Sequence, residues 1–291
     1  MPTISQPTFD LQSHSTYSDG ELTPREVVLA AHRAGVELLA LTDHDTTEGV
    51  SEARAQADLL GIDLVSAVEI SVLDEAGGDL HICGYKIDPA NPALTTRLTA
   101  AREDRKHRIW EMAERLRALN WHIDEGQLRL RAAKSGAVGR PHLAATVTSD
   151  PRNAARLARE DLTDSTDFLV AYLIEGRPAF VKRRAPTVME AVSLIQGAGG
   201  IATWAHPFWD LSNDAHVLAT AERFKEAGID GLEVFYPSHT RAQVELLYDY
   251  CIKASLLTTG CSDFHGPHHP VFSRFRAFCT YGLQPVLGPL A

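Results

Sequence analysis

Leu38-Leu39-Ala40-Leu41-Thr42-Asp43-His44-Asp45 joins an unbroken apolar run to a carboxylate–imidazole–carboxylate cluster. A run without alternation reads as a strand buried on both faces, as in a sheet covered by helices. The polar cluster sits where that strand stops. The arrangement recurs along the chain: His14 to Asp19 follow the short extended Phe9–Leu11, Glu69 follows Leu64–Val68, and Asp263 and His265 follow Leu256–Thr259. His81, in a strand read at Leu80–Tyr85, and His206, after Ile201–Trp204, add two more imidazoles. In a β/α barrel the carboxyl ends of several strands converge on one mouth. Imidazole with carboxylate is what divalent transition metals bind. The pattern predicts a multinuclear metal centre.

Helix signals fill the intervals. Thr23-Pro24-Arg25-Glu26 is a capping box with proline at the first helical position, and Gly35 suits the end of that helix. A second helix is predicted from Thr47 to Leu60, ending at Gly61. After Asn91 a long charged helix runs to Leu119, and no strand periodicity follows as far as Gly176. The alternation returns at Ala179–Val181. Thr187-Val188-Met189-Glu190 is a second capping box, whose helix ends in Gly197–Gly200. Strands Ile201–Trp204, Leu232–Tyr236 and Leu256–Thr259 follow, with helices over 215–227 and 240–254 between them. Regular alternation predicts parallel strands with right-handed crossovers. The expected fold is α/β, a distorted (β/α)7 barrel built from residues 1–104 and 179–291, with a small helical insertion domain at 105–178.

Apolar content of 44% and charged content of 23% are those of an ordinary globular chain. The net charge, 28 − 38 = −10, weighs against a duplex-DNA surface, although a local basic patch can still hold a small phosphate ligand. No basic region followed by an apolar stretch opens the chain, and no apolar run approaches the roughly 18 residues of a membrane span. A cytoplasmic chain with no membrane partner is expected. Cys83, Cys251, Cys261 and Cys279 lack CxxC spacing and read as reduced, buried thiols. Trp110 and Trp121 read as packing residues of the charged helix, and His268 and His269 as exposed loop residues. Asp43 reads as an acceptor for an imidazole N–H beside a metal, and Asp45 equally as a turn or cap residue. GxxxxGK[ST], strand-linked GxGxxG and GxSxG are all absent.

DLQSHSTYSDG (10–20), LALTDHDT (39–46), VSAVEIS (65–71), DLHICGY (79–85), WAHPF (204–208) and CSDFHGP (261–267) together resemble the polymerase-and-histidinol-phosphatase (PHP) family of metal-dependent phosphoesterases. Carried over residue by residue, the resemblance implies three neighbouring metal sites. His14, Glu69 and Asp263 hold one. Glu69 bridges to a second, held also by His81 and His206, while Asp19, His44 and His265 hold the third. Two or three divalent ions are expected, manganese, iron or zinc, with magnesium admissible at the weakest site. His206 and His265 are also the candidate catalytic proton donors. The family opens with His-x-His, whereas Gln12 takes the first position here. An amide oxygen is a poorer ligand than imidazole for these metals, so the first site is expected to be weaker. Phe208 stands where glycine is common after the AHP segment.

Gly139-Arg140-Pro141-His142 resembles a segment of PHP members whose inserted domain overhangs the active site. Arginine offers a bidentate fork for phosphate and histidine a second donor. Arg140 and His142 are the favoured substrate-binding residues, supported by Lys134, Lys182 and Arg183; a solvated basic face is the other reading. The resemblance implies a small 5′-phosphorylated ribosyl substrate, foremost a nucleoside 3′,5′-bisphosphate that loses its 3′-phosphate to leave AMP. Alternatives are 5-phosphoribosyl 1,2-cyclic phosphate and 5′-end trimming of short oligoribonucleotides. A non-catalytic nucleotide-binding module is the alternative class.

Overall fold

A computed structural model of the chain describes residues 7–74, 79–135 and 139–291, with the side chains of 131–135 outside the description. These residues form two compact units, one up to Thr99 and from Ala185 onward, the other Ala100–Arg184.

The larger unit begins β1 (Phe9–Asp10), α1 (Pro24–Arg33), β2 (Leu38–Leu41), α2 (Val50–Leu60), β3 (Asp63–Leu73), β4 (Asp79–Tyr85), followed by α3 (Pro92–Ala118), within which the boundary between units falls. The smaller unit adds α4 (Glu125–Ser135), α5 (Arg140–Thr148), α6 (Ala154–Arg159) and α7 (Ser165–Tyr172). The larger unit resumes with α8 (Val188–Gly197), β5 (Ile201–Trp204), α9 (Pro207–Asp210), α10 (Asp214–Glu226), β6 (Gly231–Phe235), α11 (Arg241–Ala254) and β7 (Leu257–Gly260).

The seven strands lie side by side in chain order. Beyond the ladder, Leu11 N donates to Gly260 O over 3.2 Å, and Ser13 forms a parallel bridge with Phe264. The sheet therefore nearly closes on itself, which is the expected distorted (β/α)7 barrel.

One strand breaks the expected parallel order. β4 runs antiparallel to both β3 and β5. Only residues 74–78 separate β3 from β4, and a parallel return needs a crossover of roughly a dozen residues or more. The expected end of the third strand is also corrected: β3 continues to Leu73, leaving Glu69 inside the strand. Glu69 pairs with Cys83 and Ser71 with His81, so all four side chains share one face of the pleat.

Local chemistry explains the helices that brace this sheet. Thr23 and Glu26 make the reciprocal capping bonds, and Val27, Val28 and Ala31 bury one stripe of α1 against Leu39, Leu41, Ala53 and Ala57. α2 begins at Val50, three residues later than predicted, and Thr47 Oγ1 donates to Pro89 O over 2.9 Å. α11 carries a further capping box, Thr240 with Gln243. The main core gathers Leu11, Ile70, Leu80, Ile82, Trp204, Leu232 and Phe235 from the strands against Val192, Ile195, Phe224 and Leu247 from the helices.

The smaller unit is helical around its own core of Met112, Leu116, Trp121, Leu143, Val147 and Phe168. Trp121 lies past the end of α3, not within it, and meets Phe168 and Tyr172 edge-on while Arg156 covers its face. Ala179–Val181 is not a strand. Ala179 and Val181 are buried in this core, and Arg108 Nε donates to Val181 O over 2.7 Å in place of a ladder bond. Cys83, Cys251 and Cys261 are buried, but Cys279 is exposed between buried Phe278 and Thr280. No helix among the described residues is long and apolar enough to cross a membrane.

Candidate metal centre

The first loop of the site is built around Asp43. Its Oδ1 accepts from Ser15 N and Ser18 Oγ, both over 2.7 Å, and its Oδ2 accepts from Ser15 Oγ over 2.6 Å. Asp43 thus shapes the loop that carries His14 and Asp19, and these serine and backbone donors occupy the carboxylate expected to serve an imidazole. Gly20 lets this loop close, since a Cβ there would sit 2.3 Å from His14 O. Asp45, at φ 53°, accepts from Ser71 N over 3.0 Å and so ties the β2 turn to β3. Asp10, buried under β7, accepts from Ser262 N and Arg276 N, each over 2.8 Å.

These loops, with strands β3 and β4, bring eight side chains together. Glu69, fully buried, stands at the centre with both oxygens engaged. His14 Nε2 and His44 Nδ1 each lie 3.2 Å from its Oε2, while His81 Nδ1 and His206 Nε2 lie 2.9 and 3.1 Å from its Oε1. Asp263 Oδ1 approaches His14 Nε2 to 3.1 Å. Asp19 lies at the open edge, 3.7, 3.6 and 3.5 Å from His14, His44 and His265 respectively. Among the described residues, two groups have ligand atoms close enough to surround one ion each: His14, Asp19, His44 and His265, and His44, Glu69 and His81.

The donor set fits divalent metal ions. His14 Nε2, His44 Nδ1, Glu69 Oε2 and Asp263 Oδ1 are buried and make no well-formed hydrogen bond. His81 Nδ1 and His206 Nε2 face one another at 3.3 Å, where protons on both would repel. Cations resolve this, because every converging atom then offers a lone pair. The electrostatics agree in direction. Burial opposes ionisation of Glu69, yet the surrounding imidazoles hold its carboxyl well below the usual range. Burial also pulls His44 down to about 4, leaving a neutral ring.

Three supporting residues escaped the sequence reading. Tyr236 OH donates to Asp263 Oδ2 over 2.8 Å. Asp210 Oδ2 lies 3.3 Å from His206 Nδ1, the kind of carboxylate partner that orients a ligating imidazole. Glu233 Oε2 accepts from His206 N over 2.9 Å, and burial raises its pKa to about 8. His206 itself sits at φ 33°. A signal was present: Asp210 is four residues after His206, and Tyr236 directly follows β6, the one strand to which no site residue had been assigned.

Gln12 is buried beside the cluster loops. Its Oε1 accepts from Cys261 Sγ at 3.5 Å, and its Nε2 has no hydrogen-bond partner. His268 is exposed and pairs with Glu21, but His269 is half-buried: its ring stacks on Phe272 and its Nδ1 accepts from Phe272 N over 2.9 Å. In the smaller unit, Arg140 opens α5, and His142 Nδ1 accepts from Gly139 N over 3.1 Å. Lys182 is exposed and Arg183 buried, while Lys134 lies on α4 with its side chain outside the described residues. A cleft of 760 Å³ lined by Leu22, Arg33, Phe264 and Arg274 contains no imidazole.

Residues 10–163 match the PHP domain. The chain belongs to the PHP domain family. A 5′-3′ exoribonuclease from Haemophilus influenzae is 34% identical to it, covering 89% of this chain and 90% of that protein. A phosphoribosyl 1,2-cyclic phosphate 1,2-diphosphodiesterase from Eggerthella lenta is also 34% identical, over 88% and 94%. A 3′,5′-nucleoside bisphosphate phosphatase from Chromobacterium violaceum matches at 34%, over 89% and 87%. Among solved structures, an amidohydrolase from Chromobacterium violaceum with bound sulfate superposes with a TM-score of 0.74 at 32% identity, covering 98% of this chain and 93% of that one. This PHP protein is a metal-dependent phosphoesterase.

Proposed function

We propose that this phosphoesterase acts on a small 5′-phosphorylated ribosyl substrate, foremost a nucleoside 3′,5′-bisphosphate, removing the 3′-phosphate and leaving AMP when the base is adenine. The observation that carries the reading is Glu69, with each carboxylate oxygen held between two imidazoles. Glu69 with His14 and Asp263 would hold one cation, Glu69 with His81 and His206 a second, and Asp19, His44 and His265 a third. Gln12 is the weak point of the first.

Divalent ions, once bound, lower the pKa of water, neutralise charge on phosphoryl oxygens and hold the reacting groups in line. The protein supplies the geometry. His206 has Nε2 turned to Glu69 and Nδ1 3.3 Å from Asp210 Oδ2, which favours the ligand role over that of proton donor. His265 lies nearer the open edge, and its Nδ1 is fixed 2.6 Å from Asp263 O. Its Nε2 is the ring atom that would hold the third cation or, where that cation is absent, pass a proton to the leaving oxygen. On the sequence resemblance, Arg140 and His142 are the candidates to hold the 5′-phosphate, with Lys182 and Arg183 as further cations. His142 suits this because its Nδ1 caps α5, which puts the ring proton on Nε2.

Short oligoribonucleotides trimmed from the 5′ end are the second reading, favoured by the similarity to the Haemophilus influenzae exoribonuclease. A panel of adenosine 3′,5′-bisphosphate, 5-phosphoribosyl 1,2-cyclic phosphate and short 5′-phosphorylated RNA, assayed with Mn²⁺, tests the order. The bisphosphate is expected to give the highest kcat/KM. Turnover of the cyclic phosphate or RNA without the bisphosphate refutes the first reading. Arg140→Ala is expected to lower kcat/KM for the bisphosphate roughly tenfold to hundredfold, the worth of a charge-assisted fork, and for methyl phosphate much less. Equal loss on both removes Arg140 from the phosphate site.

A further inference from the structure

Trp209 is the residue in the larger unit that the metal chemistry leaves unexplained. It follows His206 by one turn, its N donating to His206 O over 2.9 Å, yet 52% of its surface is open to solvent. Phe208, its neighbour, turns inward onto His239 with ring centroids 5.6 Å apart. Trp209 does not.

A lone exposed aromatic would mean little. This one is the outer member of a ring chain that starts and ends on the metal cluster. From His265 the chain passes to His269 at 5.0 Å, then to Phe272 at 5.3 Å with the rings stacked at 17°. Phe272 meets Trp209 at 5.3 Å, and Trp209 meets Tyr236 at 6.3 Å. Tyr236 returns to the cluster through its hydrogen bond to Asp263. The indole is therefore propped from behind by two buried rings, Phe272 and Tyr236, and cannot relax into the core.

A rigid aromatic face joined to a phosphoester-cleaving centre suits one flat, π-faced part of a substrate. Nucleobases stack on such faces irrespective of their identity, whereas a phosphoribosyl group alone has nothing to place there. We infer that Trp209, backed by Phe272 and Tyr236, is the stacking platform for the nucleobase of the substrate, so that base-bearing phosphoesters are selected over base-free ones. The inference rests on the phosphoesterase reading above and narrows its substrate.

Two measurements on the full chain loaded with Mn²⁺ test it. In the first, adenosine 3′,5′-bisphosphate and base-free 5-phosphoribosyl 1,2-cyclic phosphate are compared in Trp209→Ala and Trp209→Phe. Stacking predicts that the alanine variant raises KM for the bisphosphate roughly tenfold or more, with far less effect on the base-free substrate, and that phenylalanine restores most of it. In the second, AMP is titrated against tryptophan fluorescence, independently of turnover. AMP is expected to quench the wild-type protein, and the quench is expected to vanish in Trp209→Ala. Equal losses on the two substrates, no loss on either, or a quench that survives in Trp209→Ala would each overturn the platform. If the wild type cleaves neither substrate but the Trp209-dependent quench is present, the platform stands and the substrate reading fails.

Discussion

Tyr236 donates its phenolic proton to Asp263 Oδ2 over 2.8 Å, while Oδ1 of the same carboxylate lies 3.1 Å from His14 Nε2. One oxygen is fixed by the protein and the other is kept for the cluster. Burial, followed by the nearby Asp263 charge, raises the Tyr236 pKa far above its ordinary value, so the donor stays protonated at any working pH. Tyr236→Phe keeps the ring and removes the bond. Metal affinity or activity is expected to fall roughly 10–100-fold, the usual effect of losing an outer partner of a ligand. Chelator competition followed by elemental analysis checks this, with circular dichroism unchanged.

Gln12→His restores an imidazole beside the first site. The ligand atom of the Gln12 amide, Oε1, faces Cys261 Sγ at 3.5 Å, and a ring nitrogen at that position is expected to give a stronger ligand. Metal content per chain is expected to rise, and resistance to chelator with it. Unchanged values in both measurements would place residue 12 outside the metal shell.

Asp43→Ala strands two donors, Ser15 N and Ser15 Oγ, while Ser18 Oγ keeps Asp19 Oδ1 at 3.2 Å. Each buried unsatisfied group costs about 1–3 kcal/mol, so a loss of at least about 2 kcal/mol is expected in urea unfolding. Asp43→Asn retains one acceptor oxygen and should lose less. Metal content should drop in parallel, since the same loop carries His14 and Asp19.

His239 gives the larger unit an acid sensitivity of its own. Burial is the largest cause lowering its pKa from 6.5 to about 4; the Val234 carbonyl partly opposes it, and the charge of His206 adds to the lowering. The unfolded chain binds a proton here below about pH 6.5, whereas the folded chain does so only near 4. Its stabilising contribution is therefore complete above that upper value and is lost as the pH falls through the window. In His239→Gln the urea midpoint should fall less steeply over the same interval. An unaltered slope would show that His239 does not titrate with unfolding.

How far the site could be read in advance depended on how local its signals were. Leu38–Leu41 and Ile201–Trp204 form strands with the expected bounds because an unbroken apolar run followed by a polar cluster is decipherable within a few residues. The direction of β4 was not, since strand composition is the same whichever way the strand runs. Only the brevity of the 74–78 connection carried that information. Asp43 was misread because its partners, Ser15 and Ser18, lie more than two dozen residues away. Tyr236 was missed because a phenol at a strand end looks like packing until Asp263 is placed beside it. The part of His269 in the aromatic wall likewise depends on Phe272 curling back over its ring.

The reversed strand also sets an order of assembly. Glu69 and His81 share a hairpin, whose local contacts close on the scale of about 1–10 μs. The loop of Ser262 and Asp263, by contrast, is tied to Asp10 across 252 residues of chain, and such distant contacts bear the entropy of loop closure before they stabilise anything. A nascent chain thus holds a half-formed ligand pair early and completes the cluster only when its first and last strands meet. Tight retention of metal is then a signature of a finished fold, and a chain arrested before that meeting should release its ions readily.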